Sequence, residues 1–271
     1  MSIFSPSTTT IARWVWCLPP LLLVLGAPLW LHTFEPAMFL AINVFCTPVA
    51  APVWTGLSLL GNAWGILGVT APLLVLAPRL LWAWLCAAPF AIVFARVGKA
   101  LIFSPRPAAV VDNAHMRIIG ETLHNVSMPS GHTLTAFAVA SAIYFALPPK
   151  GRRRHLWLFV LAAGTGLSRI AVGAHWPGDV AVGLCLGLFA GMLGNCLLVR
   201  MGEAHMQPTA WSLRLLAVVV LIAGGVLLLE VQDFEENRHV QYALVLVVAS
   251  SLACFVRQNW VVIRKNHGTH S

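Results

Sequence analysis

Three short clusters between positions 99 and 179 hold the residues whose types and spacing could do chemistry. The first pairs Lys99 with Arg106, and Pro105 and Pro107 flank the arginine. The second is the run Pro129, Ser130, Gly131, His132, and the third joins Ser168 and Arg169 to His175 and Asp179. Arginine grips phosphate oxygens as a two-pronged fork and lysine acts as a point charge, and the two prolines would hold the Arg106 backbone in place. A helix opening at Ser130 presents free backbone N–H groups, which make an anion site, and Gly131 lets a ligand come close. His132 would then sit beside the bound anion and could give a proton to a departing oxygen. Asp179, four positions after His175, can accept a hydrogen bond from one imidazole nitrogen and leave the other free to attack. Arg169 adds a third cation where charge develops on the transferring oxygens. This is the equipment for holding a phosphate and transferring it through a histidine.

Plainer readings stand beside each cluster. Lys99 and Arg106 could simply anchor a helix end at a membrane surface, and Ser130 could be an ordinary N-cap. A lone histidine near a membrane is usually structural. The combination of Arg169, His175 and Asp179 beside two other phosphate-type clusters favours chemistry.

The elements that must position these groups are helices in a membrane. Of 271 residues 59% are apolar and only 10% charged, with a mean hydropathy of +0.82, whereas soluble domains carry roughly a quarter charged residues. The fold class expected is all-α, a polytopic transmembrane bundle. The net charge of +8 forms no continuous patch, which argues against nucleic acid as a partner; the basic residues recur in short groups between apolar runs, as membrane topology requires. The six cysteines lie scattered in apolar segments without metal-ligand spacing and read as small membrane-buried side chains; no metal and no cofactor is expected.

A spanning helix needs about 20 apolar residues. Runs that meet or approach this length cover 14–33, 49–77 with an interruption at Gly61 and Asn62, 80–102, 132–147, 156–171, 179–199, 213–229 and 242–263, about eight helices. Pro19 and Pro20 should kink the first or delay its start, and the opening part of the second reads as re-entrant or interfacial. The polar interlude 104–128, with Arg117, Glu121 and His124, reads as a lid, a headgroup reader or a solvated loop. Asn125 to Ser127 fits a glycosylation acceptor, but a glycan there would obstruct the site.

Cytoplasmic loops carry the Lys/Arg excess. Placing the Lys150–Arg154 turn inside also puts Arg13, Arg79, Arg200, Arg214, Arg257, Arg264 and Lys265 inside, eleven of the seventeen basic residues. Eight of the nine acids, Glu230 and Asp233 among them, then fall outside. This predicts both termini in the cytoplasm and all three clusters at the outer face.

The motifs Lys99–Arg106–Pro107, Pro129–Ser130–Gly131–His132 and Ser168–Arg169–His175–Asp179 resemble those of the type 2 phosphatidic acid phosphatase (PAP2) superfamily of integral membrane lipid phosphatases, without a departure at these positions. The resemblance covers about a third of the chain. It implies a metal-independent reaction through a phosphohistidine, with His175 as nucleophile, Asp179 as its orienting partner and His132 as acid and then base. It also implies phosphate binding by Lys99, Arg106, Ser130, Gly131 and Arg169. A six-helix core over residues 1–199 should be followed by an extension over 200–271 with two further spans. The bilayer and a lipid phosphate are the expected partners, and a bacterial inner membrane with the site facing the periplasm is the expected location. Undecaprenyl pyrophosphate, or a broad range, is the favoured substrate; lipid A and phosphatidylglycerol phosphate are alternatives. A lipid phosphotransferase using the same site, or a non-catalytic transporter or assembly partner, are the rival functions.

Overall fold

The computed structural model describes residues 11–268, with side chains as far as residue 261, so Arg264 and Lys265 lie outside the described side chains. Among the described residues every regular element is a helix. Where one span is expected over 14–33, a 3-10 turn (Arg13–Cys17) leads into α1 (Leu18–Leu25) and α2 (Ala27–Trp30). Pro19 and Pro28 sit in the first turns of these two helices, a position that suits a helix start and no other part of a helix. The next helix, α3 (Ala37–Phe45), has no counterpart among the expected spans, because its nine residues fall far below spanning length.

The run 49–77 divides into α4 (Ala51–Leu59), α5 (Ala63–Thr70) and α6 (Leu73–Leu76). The break falls at Gly61 and Asn62, as expected. Asn62 caps α5, its Oδ1 accepting from the backbone N–H of Trp64 at 2.9 Å and of Gly65 at 3.3 Å, a cap worth about 1 kcal/mol.

Four helices then follow the expected spans closely: α7 (Pro78–Leu101), α8 (Gly131–Ala146), α9 (Trp157–Ala171) and α10 (Pro177–Leu198). Leu147 ends α8 in an extended conformation, φ −72° and ψ 148°, because it precedes Pro148. Arg152, in the basic turn, donates from Nη2 to the carbonyls of Phe145 (3.1 Å) and Leu147 (2.7 Å), so this cation also closes the carbonyl end of α8. The last two helices are α11 (Trp211–Leu229) and α12 (Arg238–Gly268).

At the centre α10 packs on α8 and α7, which also pack on each other. Small residues make this possible: a Cβ at Gly183 would lie 2.7 Å from the Ser130 carbonyl oxygen, one at Gly187 2.5 Å from that of Leu134, and one at Gly194 2.6 Å from the Ala87 nitrogen. In a membrane, where apolar burial does not drive helices together, close backbone approach supplies the contact energy. Hydrogen bonds reinforce it, from Asn195 Nδ2 to the Ala142 carbonyl and from Thr165 Oγ1 to that of Leu57, both 3.0 Å. Around this centre α9 covers α8, α4 covers α9, and α1 and α2 lie along α10. The pair α11 and α12 pack on one another and on α5.

Among the described residues four helical stretches are long and apolar enough to cross a membrane: α7, α10, α11 and Glu235–Val261. Large apolar side chains also face outward, Leu101 and Leu229 each 76% exposed, as lipid-facing helices require. The chain is an integral membrane protein, and its fold is an all-helical transmembrane bundle.

Candidate active site

The three clusters meet at one end of the bundle, and α10 organises them. Pro177 opens this helix and Asp179 sits in its first turn. The Asp179 carboxylate is fully buried, and its Oδ2 accepts from the Trp176 backbone N–H at 2.9 Å, from Ser127 Oγ, and from His175 Nδ1 at 3.1 Å. The other face of the His175 ring, Nε2, lies 3.3 Å from Arg106 Nη1. A guanidinium can only donate, so Nε2 is the accepting nitrogen and the ring proton resides on Nδ1, shared with Asp179. Burial first, and then the charges of Arg106 and Arg169, hold His175 well below its ordinary 6.5. The ring is neutral, and its one in-plane lone pair, on Nε2, faces the Arg106 guanidinium.

Arg106 is 4% exposed and is held at three points. Its Nε donates to Asn125 Oδ1 (2.6 Å), its Nη1 donates to the Ala174 carbonyl (2.7 Å), and the same nitrogen faces His175. Trp176 Nε1 donates to the Pro105 carbonyl at 2.7 Å, which ties the first cluster to the third. The turn between α9 and α10 needs its glycine: Gly173 has φ +81°, and a Cβ there would lie 2.8 Å from the Arg117 carbonyl, a conformation that side chains resist.

Arg169, in the last turn of α9, is 4% exposed. It donates from Nη1 to Ser58 Oγ at 2.5 Å, and its guanidinium carbon lies 5.8 Å from the centre of the Phe234 ring. Its Nε is buried without a hydrogen-bond partner in the protein, a costly state for such a group. Lys99 ends α7, its charge within reach of Arg106, Asp179 and Arg169.

Ser130 precedes α8 in an extended conformation, but its side chain makes no capping bond. Its hydroxyl accepts instead from Thr133 Oγ1 at 2.9 Å. The first N–H groups of α8 are therefore not closed by the residue that ordinarily closes them. A Cβ on Gly131 would meet nothing within 4 Å, so the approach to those groups is open. One residue on, His132 Nε2 lies 3.1 Å from Asp233 Oδ2.

The expected site residues thus converge, and five others join them that the spacing of the motifs does not reveal. Ser127 and Asn125, read in the sequence as part of a glycosylation acceptor, hold Asp179 and Arg106. Ser58 holds Arg169, and Asn62 and Asp233 meet beside His132. Of the interlude residues, Arg117 turns away from the site: its Nη1 donates to the carbonyls of Cys46, Thr47 and Val49. It anchors the loop to the segment after α3. Glu121 does line a cleft of about 220 Å³ that reaches Arg169, bounded on one side by the 118–123 loop and on the other by Asp233 and Phe234.

Residues 79–202 match the profile of the PAP2 superfamily. Over 68 residues, a quarter of this chain and 15% of the relative, the sequence is 38% identical to a lipid A 1-phosphatase of Porphyromonas gingivalis. Over 120 residues, 43% of this chain and 62% of the relative, it is 33% identical to a decaprenylphosphoryl-5-phosphoribose phosphatase of Mycobacterium tuberculosis. The chain therefore spans between about a seventh and three-fifths of the length of these curated relatives. The crystal structure of LpxE from Aquifex aeolicus is similar in fold, with a TM-score of 0.50 at 24% identity, covering 59% of this chain and 96% of that one. The three motifs of this chain, brought to one end of a membrane-helix bundle, lie within residues 79–202, the segment that matches the PAP2 superfamily profile.

Proposed function

We propose that the chain is a membrane lipid phosphatase that hydrolyses a lipid phosphate or pyrophosphate through a phosphohistidine, with no metal taking part. The observation that carries this reading is the arrangement of His175, a buried neutral imidazole held by Asp179 on Nδ1 and presenting Nε2 beside the Arg106 guanidinium. In the first step Nε2 attacks phosphorus, a P–N bond forms and the P–O bond to the lipid breaks. His132 gives its proton to the departing oxygen. Asp179 stabilises the positive charge that the phosphorylated ring acquires. In the second step water attacks the phosphohistidine, His132 takes up the proton released, and inorganic phosphate leaves.

Arg106, Arg169, Lys99 and the backbone N–H groups from Ser130 and Gly131 onward bind the phosphoryl oxygens in this reading. A phosphate oxygen would complete the buried Nε of Arg169, and fixed donors of this kind usually contribute most of the acceleration. The division into a core over 1–199 and an extension over 200–271 belongs to the same reading. So do a bacterial inner-membrane location, a periplasm-facing site and cytoplasmic termini, supported by the charge distribution around Lys150–Arg154. A reporter fused at residue 151 should accordingly read as internal.

Undecaprenyl pyrophosphate is the substrate we put first, supported by the likeness to a phosphatase named for a polyprenyl-linked lipid. Lipid A is the second, favoured by the likeness to lipid A 1-phosphatases. The test is phosphate release by purified protein in detergent with excess chelator, over undecaprenyl pyrophosphate, lipid A, phosphatidylglycerol phosphate and phosphatidic acid. Release should survive chelation and vanish in His175→Ala. Turnover that persists in that variant would remove the phosphohistidine mechanism. Turnover that needs an acceptor lipid and frees no phosphate would make the protein a phosphotransferase.

A further inference from the structure

We infer that Asp233, on the loop between α11 and α12, is a positioning residue for His132: its carboxylate accepts the Nε2–H, fixes the ring and supplies a counter-charge that favours its protonated form. The inference rests on the reading above, in which His132 is the general acid. It gives the last two helices a part in the reaction.

The contact is built from both sides. Asp233 Oδ2 accepts from His132 Nε2 at 3.1 Å and from Asn62 Nδ2 at 3.0 Å, and Asn62 is itself fixed as the cap of α5. The segment carrying Asn62 presses on the histidine: a Cβ at Gly61 would lie 2.6 Å from the His132 carbonyl oxygen. The Asp233 backbone is left-handed, φ 59°, a conformation aspartate tolerates better than most residues.

The rest of the loop is pinned by buried polar groups. Gln241, fully buried, donates from Nε2 to the carbonyls of Leu227 (3.0 Å) and Glu230 (2.7 Å) and accepts from the Gln232 N–H (3.2 Å). Asn237, also fully buried, donates to the Gln232 carbonyl at 3.3 Å. Phe234 lies over Arg169 and against Gly120, where a Cβ would come within 2.8 Å of its ring. A loop so constrained carries Asp233 to one place.

The electrostatics explain why a carboxylate belongs there. The ionisable groups whose charges bear on His132 are Arg169 from α9, Arg106 from the loop after α7, Asp233, and the neutral His175 ring. Burial, the largest influence, and the two guanidiniums oppose a positive charge on His132, and the carboxylate in contact offsets them in part. The interaction marks Asp233 as well: burial alone would raise its carboxyl, but the bond and charge of His132, helped by Asn62 and Arg169, bring it down to about 2. With Nε2–H committed to Asp233, the proton that travels to the leaving oxygen is the one on Nδ1. As the P–O bond breaks, that proton completes the leaving alcohol and the ring becomes neutral. The attacking water returns a proton to the same nitrogen in the second step.

The experiment compares Asp233→Asn with the unsubstituted protein in detergent, using phosphatidic acid as an alkyl ester and 4-nitrophenyl phosphate as an aryl ester. Asparagine is isosteric and accepts the left-handed backbone, so the fold is retained. An alkoxide leaving group needs its proton and a nitrophenolate hardly does. We expect kcat on phosphatidic acid to fall by about 30-fold or more, within the range of general-acid contributions. KM should change little, 4-nitrophenyl phosphate should lose less than about threefold, and the alkaline limb of the kcat profile should move to lower pH. Asp233→Glu should recover part of the loss. Asn62→Ala, which removes the second bond to the same oxygen, should move the alkaline limb in the same direction by less. Equal losses on both esters, an unmoved alkaline limb or a rise in turnover would overturn the inference. Activity surviving in His175→Ala would instead overturn the reaction it rests on, whatever Asp233 does.

Discussion

Replacing Asp179 with asparagine keeps the shape of the side chain and removes its charge, which separates the carboxylate's part in folding from its part in the reaction. Oδ2 accepts from three donors, His175 Nδ1–H, the Trp176 N–H and Ser127 Oγ. The amide must therefore place its oxygen there, since an NH2 group would face three donors. Its nitrogen then takes the place of Oδ1, which is buried without a partner, and an unsatisfied buried donor costs about 1–3 kcal/mol of stability. The effect on the reaction is different in kind. As Nε2 attacks, the ring acquires positive charge 3.1 Å from the carboxylate oxygen. A full unit charge at that distance is worth about 5 kcal/mol at an effective dielectric constant of about 20. With about half of it developed in the transition state, the loss is about 2.5 kcal/mol, roughly 100-fold in rate. The assay is single-turnover phosphate release by protein purified in detergent, alongside a thermal melt. Turnover should fall by about two orders of magnitude in a protein that melts cooperatively at a modestly lower temperature. Activity within about threefold of the unsubstituted protein would show that His175 does not depend on this charge, and the nucleophile would have to be sought elsewhere.

Three further outcomes are expected. Arg106→Lys keeps the charge but cannot reach Asn125, the Ala174 carbonyl and the His175 face together, so kcat should fall by about 10- to 100-fold; full activity in a phosphate-release assay would reduce Arg106 to a point charge. Gly187→Ala drives a methyl group to 2.5 Å from the Leu134 carbonyl, and the detergent-solubilised protein should lose at least about 1–3 kcal/mol of stability, read as a lowered melting temperature. Because the folded chain holds His175 well below its ordinary 6.5, the unfolded chain binds the extra proton. The contribution of His175 to stability should then be complete above about pH 6.5 and decline as the pH falls below it. His175→Asn should flatten that decline, and an unchanged slope would show that the ring is charged in the fold.

How much of this could be read from the sequence follows from how far apart the partners lie along the chain. His175 and Asp179 are four positions apart, so their pairing is local and visible as spacing. The helices α7 to α10 were equally legible, each an apolar run between prolines or charged turns. Asp233 and His132 are separated by 101 positions and Arg169 and Ser58 by 111, and no periodicity encodes such contacts. Asp233 sits among Glu230, Glu235 and Glu236, and this acidic loop reads as a topology marker before anything else. Asn43 was hidden for another reason. It lies on α3, too short to register as a span, yet its Nδ2 donates to the carbonyls of Arg117, Ile170 and Ala171 and its Oδ1 accepts from the Arg117 N–H. A single polar residue in an apolar stretch was the one available sign that the segment is buried in protein as well as in lipid.

The glycines along one face of α10 have a consequence for how such a protein can diversify. They let α10 and α8 touch backbone to backbone, so the turn that opens α8 and the histidine just before α10 ride on one stiff frame. The distance between nucleophile and anion site is inherited from helix contact and is not remade each time a ligand arrives. The two segments that border the cleft, 118–123 and the loop after α11, stand outside that frame. Lineages could exchange the 118–123 segment and acquire new lipids while the reactive machinery, Asp233 included, stayed as it was. A chimera bearing residues 118–123 from a relative of different lipid preference, with Asp233 left in place, should inherit the donor's choice of substrate and keep the recipient's intrinsic rate.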